Sequence, residues 1–161
     1  MNTRRHLLLS ALVPALPPLR ASAAAAEAAP GFEVQYTDAQ WRARLTPPQY
    51  AVLRQEGTEP AGSSALNDEH RAGSFHCAGC ALPLFSSKTK FDSGTGWPSF
   101  WAPLERAVAT RSDRRYGMLR TEVHCRRCGG HLGHVFDDGP RPTGLRYCMN
   151  GLALAFVPQA A

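Results

Sequence analysis

Five cysteines and a closely spaced pair of histidines are the residues of this 161-residue chain best suited to chemistry. Four of the cysteines form two Cys-x-x-Cys pairs, Cys77 with Cys80 and Cys125 with Cys128, and Cys148 stands alone. Each such turn brings two thiolates to one side of a tight loop, and two loops can close a tetrahedral four-sulfur shell around zinc. Simple zinc ribbons separate their pairs by about 15 to 20 residues, whereas 44 residues lie between Cys80 and Cys125. A clip here joins distant parts of the chain, and closing so long a loop gives a structural metal leverage over folding. Two other uses stay open: a pair of disulfides in an oxidising compartment, or a redox dithiol of the thioredoxin kind. Neither pair opens a convincing helix after a strand, which counts against the redox dithiol.

With the zinc shell filled, Cys148 is the one free thiol. It lies between Arg146 and Asn150, and alternation along an extended strand puts all three side chains on one face. A guanidinium nearby favours thiolate over thiol, and an amide can orient a substrate oxygen or a partner side chain. Single cysteines are more often buried core residues, but this neighbourhood favours a nucleophile. His131 and His134 are three apart around a glycine. Alone they could be metal ligands or structural histidines; beside a thiolate they form an acid–base pair able to supply the proton a leaving oxygen needs. Asp137 and Asp138 could orient an imidazole, pair with Arg146, or sit in a solvated turn before Gly139 and Pro140. The run Gly94–Phe100 (GTGWPSF) fixes its backbone with two glycines and a proline. It presents Trp97 and Phe100 either as walls for a small apolar group, such as a methyl on sulfur, or as core aromatics with turn glycines.

These residues need elements to hold them. Thirteen prolines and fourteen glycines point to many turns and short strands, so the fold is mainly β. Two short helices precede the strands: Ala39 to Leu45 capped by Thr37 or Asp38, and Pro47 to Gln55 capped by Thr46. Trp41 with Leu45, and Tyr50 with Leu53, give them an apolar face to lay on a sheet. Gly57 to Asp68 reads as an irregular wrap over the surface. Extended runs follow at Gly73–His76, Leu82–Ser86, Trp97–Trp101, Met118–His124, Arg146–Met149 and Leu152–Val157, an antiparallel set of about six to eight strands in a small barrel or sandwich. Met118–His124 alternates, with Leu119, Thr121 and Val123 on one side and Met118, Arg120, Glu122 and His124 on the other, the pattern of a half-buried strand.

The first thirty residues have a basic start, a short apolar stretch and small residues offering Ala-x-Ala cleavage sites, the layout of an export signal. Arg4 and Arg5 resemble a twin-arginine motif, a route that carries folded, metal-loaded proteins. The apolar stretch is broken by Pro14, Pro17, Pro18 and Arg20 and is too short to span a bilayer stably. The expected organisation is a cleaved signal over 1–30 and a working domain over 31–161, exported to a bacterial periplasm. The formal charge of +5 includes part of this leader, and the remainder is too mild to imply a nucleic-acid partner.

Several motifs in register resemble those of the B-type methionine-R-sulfoxide reductases (MsrB): Trp41-Arg-Ala-Arg-Leu-Thr-Pro, Cys77-Ala-Gly-Cys80, GTGWPSF at 94–100, CRRCGGHLGHVF at 125–136 and RYCMN at 146–150. The resemblance runs from about residue 36 to 157. It implies two small antiparallel sheets with short N-terminal helices, one structural zinc per chain on Cys77, Cys80, Cys125 and Cys128, and reduction of the R epimer of methionine sulfoxide, free or in proteins. By the same resemblance Cys148 attacks the sulfoxide sulfur, and His131 and His134 bind and protonate its oxygen. Trp97 holds the methyl, while Arg146, Asn150 and Asp138 support the thiolate and imidazoles. The reaction leaves Cys148 as a sulfenic acid. Many members carry a resolving cysteine where this chain has Thr95, so an external small thiol or thioredoxin-like donor must reduce it. Gly151 stands where a serine is frequent. The expected molecule is a monomer. The competing readings are a non-enzymatic zinc-ribbon binding module, which leaves Cys148, His131, His134 and Trp97 unexplained, and a disulfide oxidoreductase, which tightly bound zinc excludes.

Overall fold

Two capping boxes start the N-terminal helices. In α1 (Asp38–Arg44) the Thr37 hydroxyl accepts from the Gln40 N–H, and the Gln40 side chain accepts from the Thr37 N–H. The second helix, α2 (Pro47–Gln55), repeats the device with Thr46 and Gln49 and puts proline in its first turn, where no helical N–H bond is lost. The computed structural model describes residues 31–160, and the export signal expected over 1–30 lies outside them. Trp41, Leu45, Tyr50 and Leu53 are buried, as their spacing implies. Arg54 lays its guanidinium over the Trp41 ring at 4.6 Å and donates to the Cys128 carbonyl at 3.1 Å. The helices therefore brace one of the cysteine loops.

Among the described residues nine short strands follow, in two antiparallel sheets. β1 (Gly73–Cys77), β2 (Pro83–Ser86) and the last strand, β9 (Leu154–Pro158), form a sheet of order β2-β1-β9. The other six are β3 (Lys90–Phe91), β4 (Ser99–Phe100), β5 (Val108–Asp113), β6 (Arg120–Cys125), β7 (His131–Phe136) and β8 (Arg146–Met149), in the order β3-β4-β8-β7-β6-β5. The sheets meet through aromatic rings. Phe100 stacks on Phe85 at 4.4 Å and meets Phe75 edge-on at 4.9 Å, and all three are fully buried. Each such ring contributes about 2 kcal/mol of burial.

Three strands, β3, β5 and β7, were not anticipated. The β5 sequence, VATRSD, is mostly polar and gains its conformation by pairing with β6 along its whole length. β7 holds a glycine and a bulge, which hide its period of two. β6 also corrects the expected half-buried strand. A 3-10 turn at Arg115–Gly117 delays its start, leaving Met118 and Leu119 exposed, 50% and 74%. Farther along, both faces are covered: Val123 and Cys125 on one side, Glu122 and His124 on the other. The polar side is buried because it forms the floor of a site.

Candidate active site

Strand register builds this site. Side chains of paired residues in an antiparallel sheet point to the same face, and the pairs Ser99 with Cys148, Cys148 with His134, His134 with Glu122 and Glu122 with Arg111 form one continuous row across β4, β8, β7, β6 and β5. His131, three residues before His134, would face away on a regular strand. The β6–β7 register shifts where His124 pairs with His131 and Val123 with Gly133, so Leu132 is an extra residue in β7. That bulge returns His131 to the face of His134, and the two rings stand 5.5 Å apart. Gly133 is required beside it, since a Cβ there would lie 2.1 Å from the Cys148 carbonyl oxygen. The odd histidine spacing is thus converted into one shared face by a bulge and a glycine.

Each imidazole rests on its own carboxylate. Glu122 Oε1 meets His131 Nδ1 at 2.8 Å, and Asp113 Oδ2 meets His134 Nε2 at 2.7 Å. Arg111 holds Glu122 from the other side and reaches Glu56 at 2.6 Å, while Arg120 pairs with Asp113 at 2.6 Å. Burial alone pushes the Glu122 carboxyl up, but hydrogen bonds from His131 and Arg111 overcome it and hold it down at about 2. Asp113 is also held at about 2, first by the Arg115 backbone N–H and then by His134. Both carboxylates are therefore ionised and accept, which puts the ring proton of His131 on Nδ1 and that of His134 on Nε2. Among the described residues the opposite nitrogens are left without a partner, and His131 Nε2 is buried. Burial lowers the His134 pKa, partly offset by the Asp113 bond.

The bare nitrogens serve two adjoining hollows. One, of about 140 Å³, is lined by Thr58, Trp97, Arg120, Gly133, His134, Phe136, Cys148 and Asn150. The other, of about 340 Å³, shares Thr58, Arg120 and His134 with it and adds His131, Glu122 and Asp113. The smaller hollow combines a thiol, an imidazole and an indole wall around a space fit for a small side chain.

Of the residues picked from the sequence, Cys148, His134, Trp97 and Asn150 line one hollow, and His131 lines its neighbour. Arg146 lies over the Phe136 ring at 4.5 Å and is bound by both oxygens of exposed Asp138 at 2.8 Å. Neither Asp137 nor Asp138 holds an imidazole; Asp113 and Glu122 do. Asn150 accepts from the Glu59 N–H at 2.9 Å and donates to the Leu132 carbonyl at 3.1 Å, so its amide is engaged by the scaffold. Phe100 is not a wall of the hollow. Ser99 pairs with Cys148 and faces the site, so its neighbour Phe100 faces the opposite way, into the core.

Glu59 was missed altogether, because Gly57–Asp68 reads as surface. It is buried, accepts from the N–H groups of Gly151 at 2.6 Å and Leu152 at 2.8 Å, and its carbonyl accepts from Trp97 Nε1 at 3.1 Å. One residue thereby ties the indole to the end of β8. Glu122 had a readable signal: it shares a strand face with Arg120 and His124, an unusual concentration of charge for a strand with Val123 in its middle.

The other four cysteines converge elsewhere. Their sulfurs all lie within 4.8 Å of one another, with Cys77 3.7 Å from Cys128 and Cys80 3.5 Å from Cys125, and none is in a disulfide. The two loops are alike: the Ala81 N–H bonds to the Cys77 carbonyl and the Gly129 N–H to the Cys125 carbonyl, with Ala81 and Gly129 both at positive φ. Two matched knuckles presenting four sulfurs and no competing oxygen fit a soft, four-coordinate metal ion.

Comparisons with known proteins agree with this geometry. The SelR domain matches residues 45–158. The chain is 58% identical over 124 residues to a peptide methionine sulfoxide reductase MsrB of Thiobacillus denitrificans, covering 76% of this chain and 94% of that protein. It is 55% identical over 128 residues to one of Pseudomonas putida, with 79% and 96% covered, and 53% identical over 126 residues to one of Leptospira interrogans, with 78% and 96% covered.

Proposed function

The chain belongs to the SelR family, with the MsrB methionine sulfoxide reductases as its relatives, and from that premise we propose that it reduces the R epimer of methionine sulfoxide, free or in proteins, through Cys148. The observation that carries the reading is the row Ser99–Cys148–His134–Glu122–Arg111. It sets the Cys148 thiol beside the His134 imidazole, which Asp113 orients, and brings Glu122 under His131, at the wall of a hollow of about 140 Å³. A metal-binding module without activity needs no such row.

Cys148 Sγ attacks the sulfoxide sulfur while His134 and His131 hold its oxygen. Each imidazole, protonated on its bare nitrogen, gives that oxygen a hydrogen bond and a proton as the sulfur–oxygen bond breaks. Asp113 and Glu122 stabilise the imidazolium forms. Trp97 walls the methyl group, fixed by its bond to Glu59. Arg146, buttressed by Asp138, favours the thiolate, and Asn150 fixes the floor. The two protons carry that oxygen off as water while the Cys148 Sγ bond to the substrate sulfur forms. A water molecule then breaks that bond at Cys148 Sγ, releasing the thioether and returning a proton. The net step moves one oxygen atom: sulfoxide and thiol become thioether and Cys148 sulfenic acid. Thr95, with its hydroxyl 3.8 Å from Cys148 Sγ, cannot resolve it. One external thiol displaces water to form a mixed disulfide, and a second releases Cys148, so a small thiol or thioredoxin-like dithiol is the donor.

Cys77, Cys80, Cys125 and Cys128 would hold one zinc ion, which supplies a cross-link between β1 and β6 and takes no part in the reaction. The leader pattern over 1–30 supports export through the twin-arginine route to a periplasm, with 31–161 as a monomeric working domain. No helix among the described residues is long and apolar enough to cross a membrane. The test is turnover of the separated R and S epimers with a small dithiol, run beside a zinc measurement. Activity on the R epimer alone is expected; activity confined to the S epimer, or none with zinc present, overturns the reading.

A further inference from the structure

A chain of hydroxyl groups ends on Cys148. Ser99 Oγ lies 2.8 Å from Ser93 Oγ, Ser93 Oγ lies 2.8 Å from Thr95 Oγ1, and Thr95 Oγ1 lies 3.8 Å from Cys148 Sγ. At its far end Ser99 Oγ is 3.0 Å from the Trp97 carbonyl oxygen. The backbone holds Thr95 in place. It sits between Gly94 and Gly96, both at positive φ; the Gly94 N–H donates to Asp92 at 2.9 Å, and the Gly96 carbonyl accepts from the Gly62 N–H at 2.7 Å and from the Asn67 side chain at 3.1 Å. A loop serving only to connect β3 and β4 has no need of two hydroxyls that, with Ser99 of β4, stand in series toward one sulfur.

Counting protons shows what the chain can do. Three hydroxyls carry three protons, and the Trp97 carbonyl can only accept. When Ser99 donates to that carbonyl, Ser93 must donate to Ser99 and Thr95 to Ser93. Thr95 then has no proton for the sulfur, and the thiol S–H points into the Thr95 oxygen. This order suits Cys148 as a thiol. Once the sulfur loses its proton, a thiolate facing a lone pair is unfavourable. Turning all three hydroxyls round gives Ser99 to Ser93, Ser93 to Thr95 and Thr95 to the thiolate, at the loss of the Ser99–Trp97 bond. A bond to an ionised acceptor is roughly twice as strong as the neutral one given up, so the reversal is favourable.

We propose that Thr95 is the hydrogen-bond donor to the Cys148 thiolate, and that Ser93 and Ser99 form a switchable hydroxyl chain that supplies it. This rests on Cys148 being the reactive thiol. Arg146, the nearest cation on the same strand, shares its guanidinium with both oxygens of Asp138. The other titratable groups facing the sulfur are His134 on β7 and Arg120 on β6, the latter bound to Asp113. Ser99 from β4, Trp97 and Thr58 complete the surroundings without charge. The threonine hydroxyl thus adds a donor that no carboxylate competes for. The same donor holds the sulfur in the ionised form that attacks a sulfoxide.

The test is the rate at which iodoacetamide alkylates Cys148 in the whole metal-loaded chain, read by mass at that residue and without substrate. Thr95→Val, which keeps the shape and removes the hydroxyl, slows alkylation at neutral pH about tenfold, and Thr95→Ser restores it. At strongly alkaline pH, where thiols ionise without help, the variants alkylate at equal rates. Ser99→Ala, which removes the one bond that the reversal gives up and leaves Thr95 in place, does not slow alkylation at neutral pH. A Thr95→Val chain that alkylates as fast as wild type at neutral pH overturns the proposal. So does one slowed equally at all pH values, since that is the mark of a displaced loop rather than a missing donor. Because alkylation needs no sulfoxide, failure here and failure of the reductase reading are separate results.

Discussion

The chain uses one residue type in two opposite ways, and the two regions differ chiefly in the company each sulfur keeps. Cys77, Cys80, Cys125 and Cys128 lie within 4.8 Å of one another, three of them at most 2% exposed, at the ends of two matched knuckles. Cys148 has a hydroxyl at 3.8 Å, an imidazole across the strand register and an open hollow beside it. Four sulfurs facing each other could hold a metal ion together, which would lock β1 to β6. One sulfur facing polar groups and a space is left able to react. The regions are also joined. β7 begins three residues after Cys128, so the knuckle fixes the start of the strand that carries both histidines.

The contrast is broken most sharply by exchanging one sulfur in each region. Cys148→Ser is expected to reduce turnover to below about one part in 10⁴, with metal content and melting temperature unchanged. Cys125→Ser does the reverse kind of damage: it loses metal and about 5 kcal/mol or more of stability, enough to unfold a domain of ordinary stability. Metal analysis and thermal unfolding read both. If Cys148→Ser sheds its metal, the two regions are not separate.

Next in size is the carboxylate under His131. Glu122→Gln is expected to lower kcat/KM about 100-fold, because the imidazolium loses its counter-charge. It also has a signature in stability. The folded Glu122 carboxyl is held at about 2, below its ordinary 4.5, so its contribution is full above about pH 4.5 and is lost as pH falls toward 2. Asp113, at about 2 against 3.8, behaves alike. Denaturant midpoints should therefore fall across that window in wild type and fall less in Glu122→Gln; identical slopes would remove Glu122 from the site's electrostatics.

Asp113→Asn tests the second imidazole with a smaller effect, about tenfold at neutral pH. Burial holds His134 below its ordinary value, and the Asp113 bond raises it part of the way back. Removing the carboxylate lowers it further, so the protonated ring needs more acid. The alkaline limb of the kcat/KM profile should move to lower pH. A limb that stays in place would mean His134 is not the proton donor.

What could be read in advance follows from how local each feature is. The helices were legible because a capping box is four residues long, and the metal clip because Cys-x-x-Cys is itself a short motif. Cys148, His131 and His134 stood out by type and spacing. Glu122 showed only as part of a charged strand face, and Asp113 and Glu59 not at all, because each acquires its role from a partner on another segment: the bulged register of β6 and β7 brings His131 onto Glu122, pairing with β6 carries Asp113 to the site, and a buried irregular stretch brings Glu59 under Trp97. Phe100 was misplaced for the same reason, since only pairing with β8 reveals which face of β4 it occupies. His131 and His134 were expected together, yet the bulge that brings them together was invisible in a period-two reading.

The weakest expected effect falls on the residue picked from the sequence as support for the site. Asp138 grips Arg146 with both oxygens, but it is exposed, and water already screens that pair. Removing it leaves the guanidinium charged and still seated on the Phe136 ring at 4.5 Å. Arg146 is then less restrained and no longer shared, and the two changes act on the Cys148 thiolate in opposite directions. Asp138→Asn should accordingly change kcat/KM by less than about threefold, far below either imidazole-bound carboxylate. A loss comparable to that of Glu122→Gln would show that Arg146 works only when held, and would move the support of the thiolate from the hydroxyl chain leading into β4 to the salt bridge after β7.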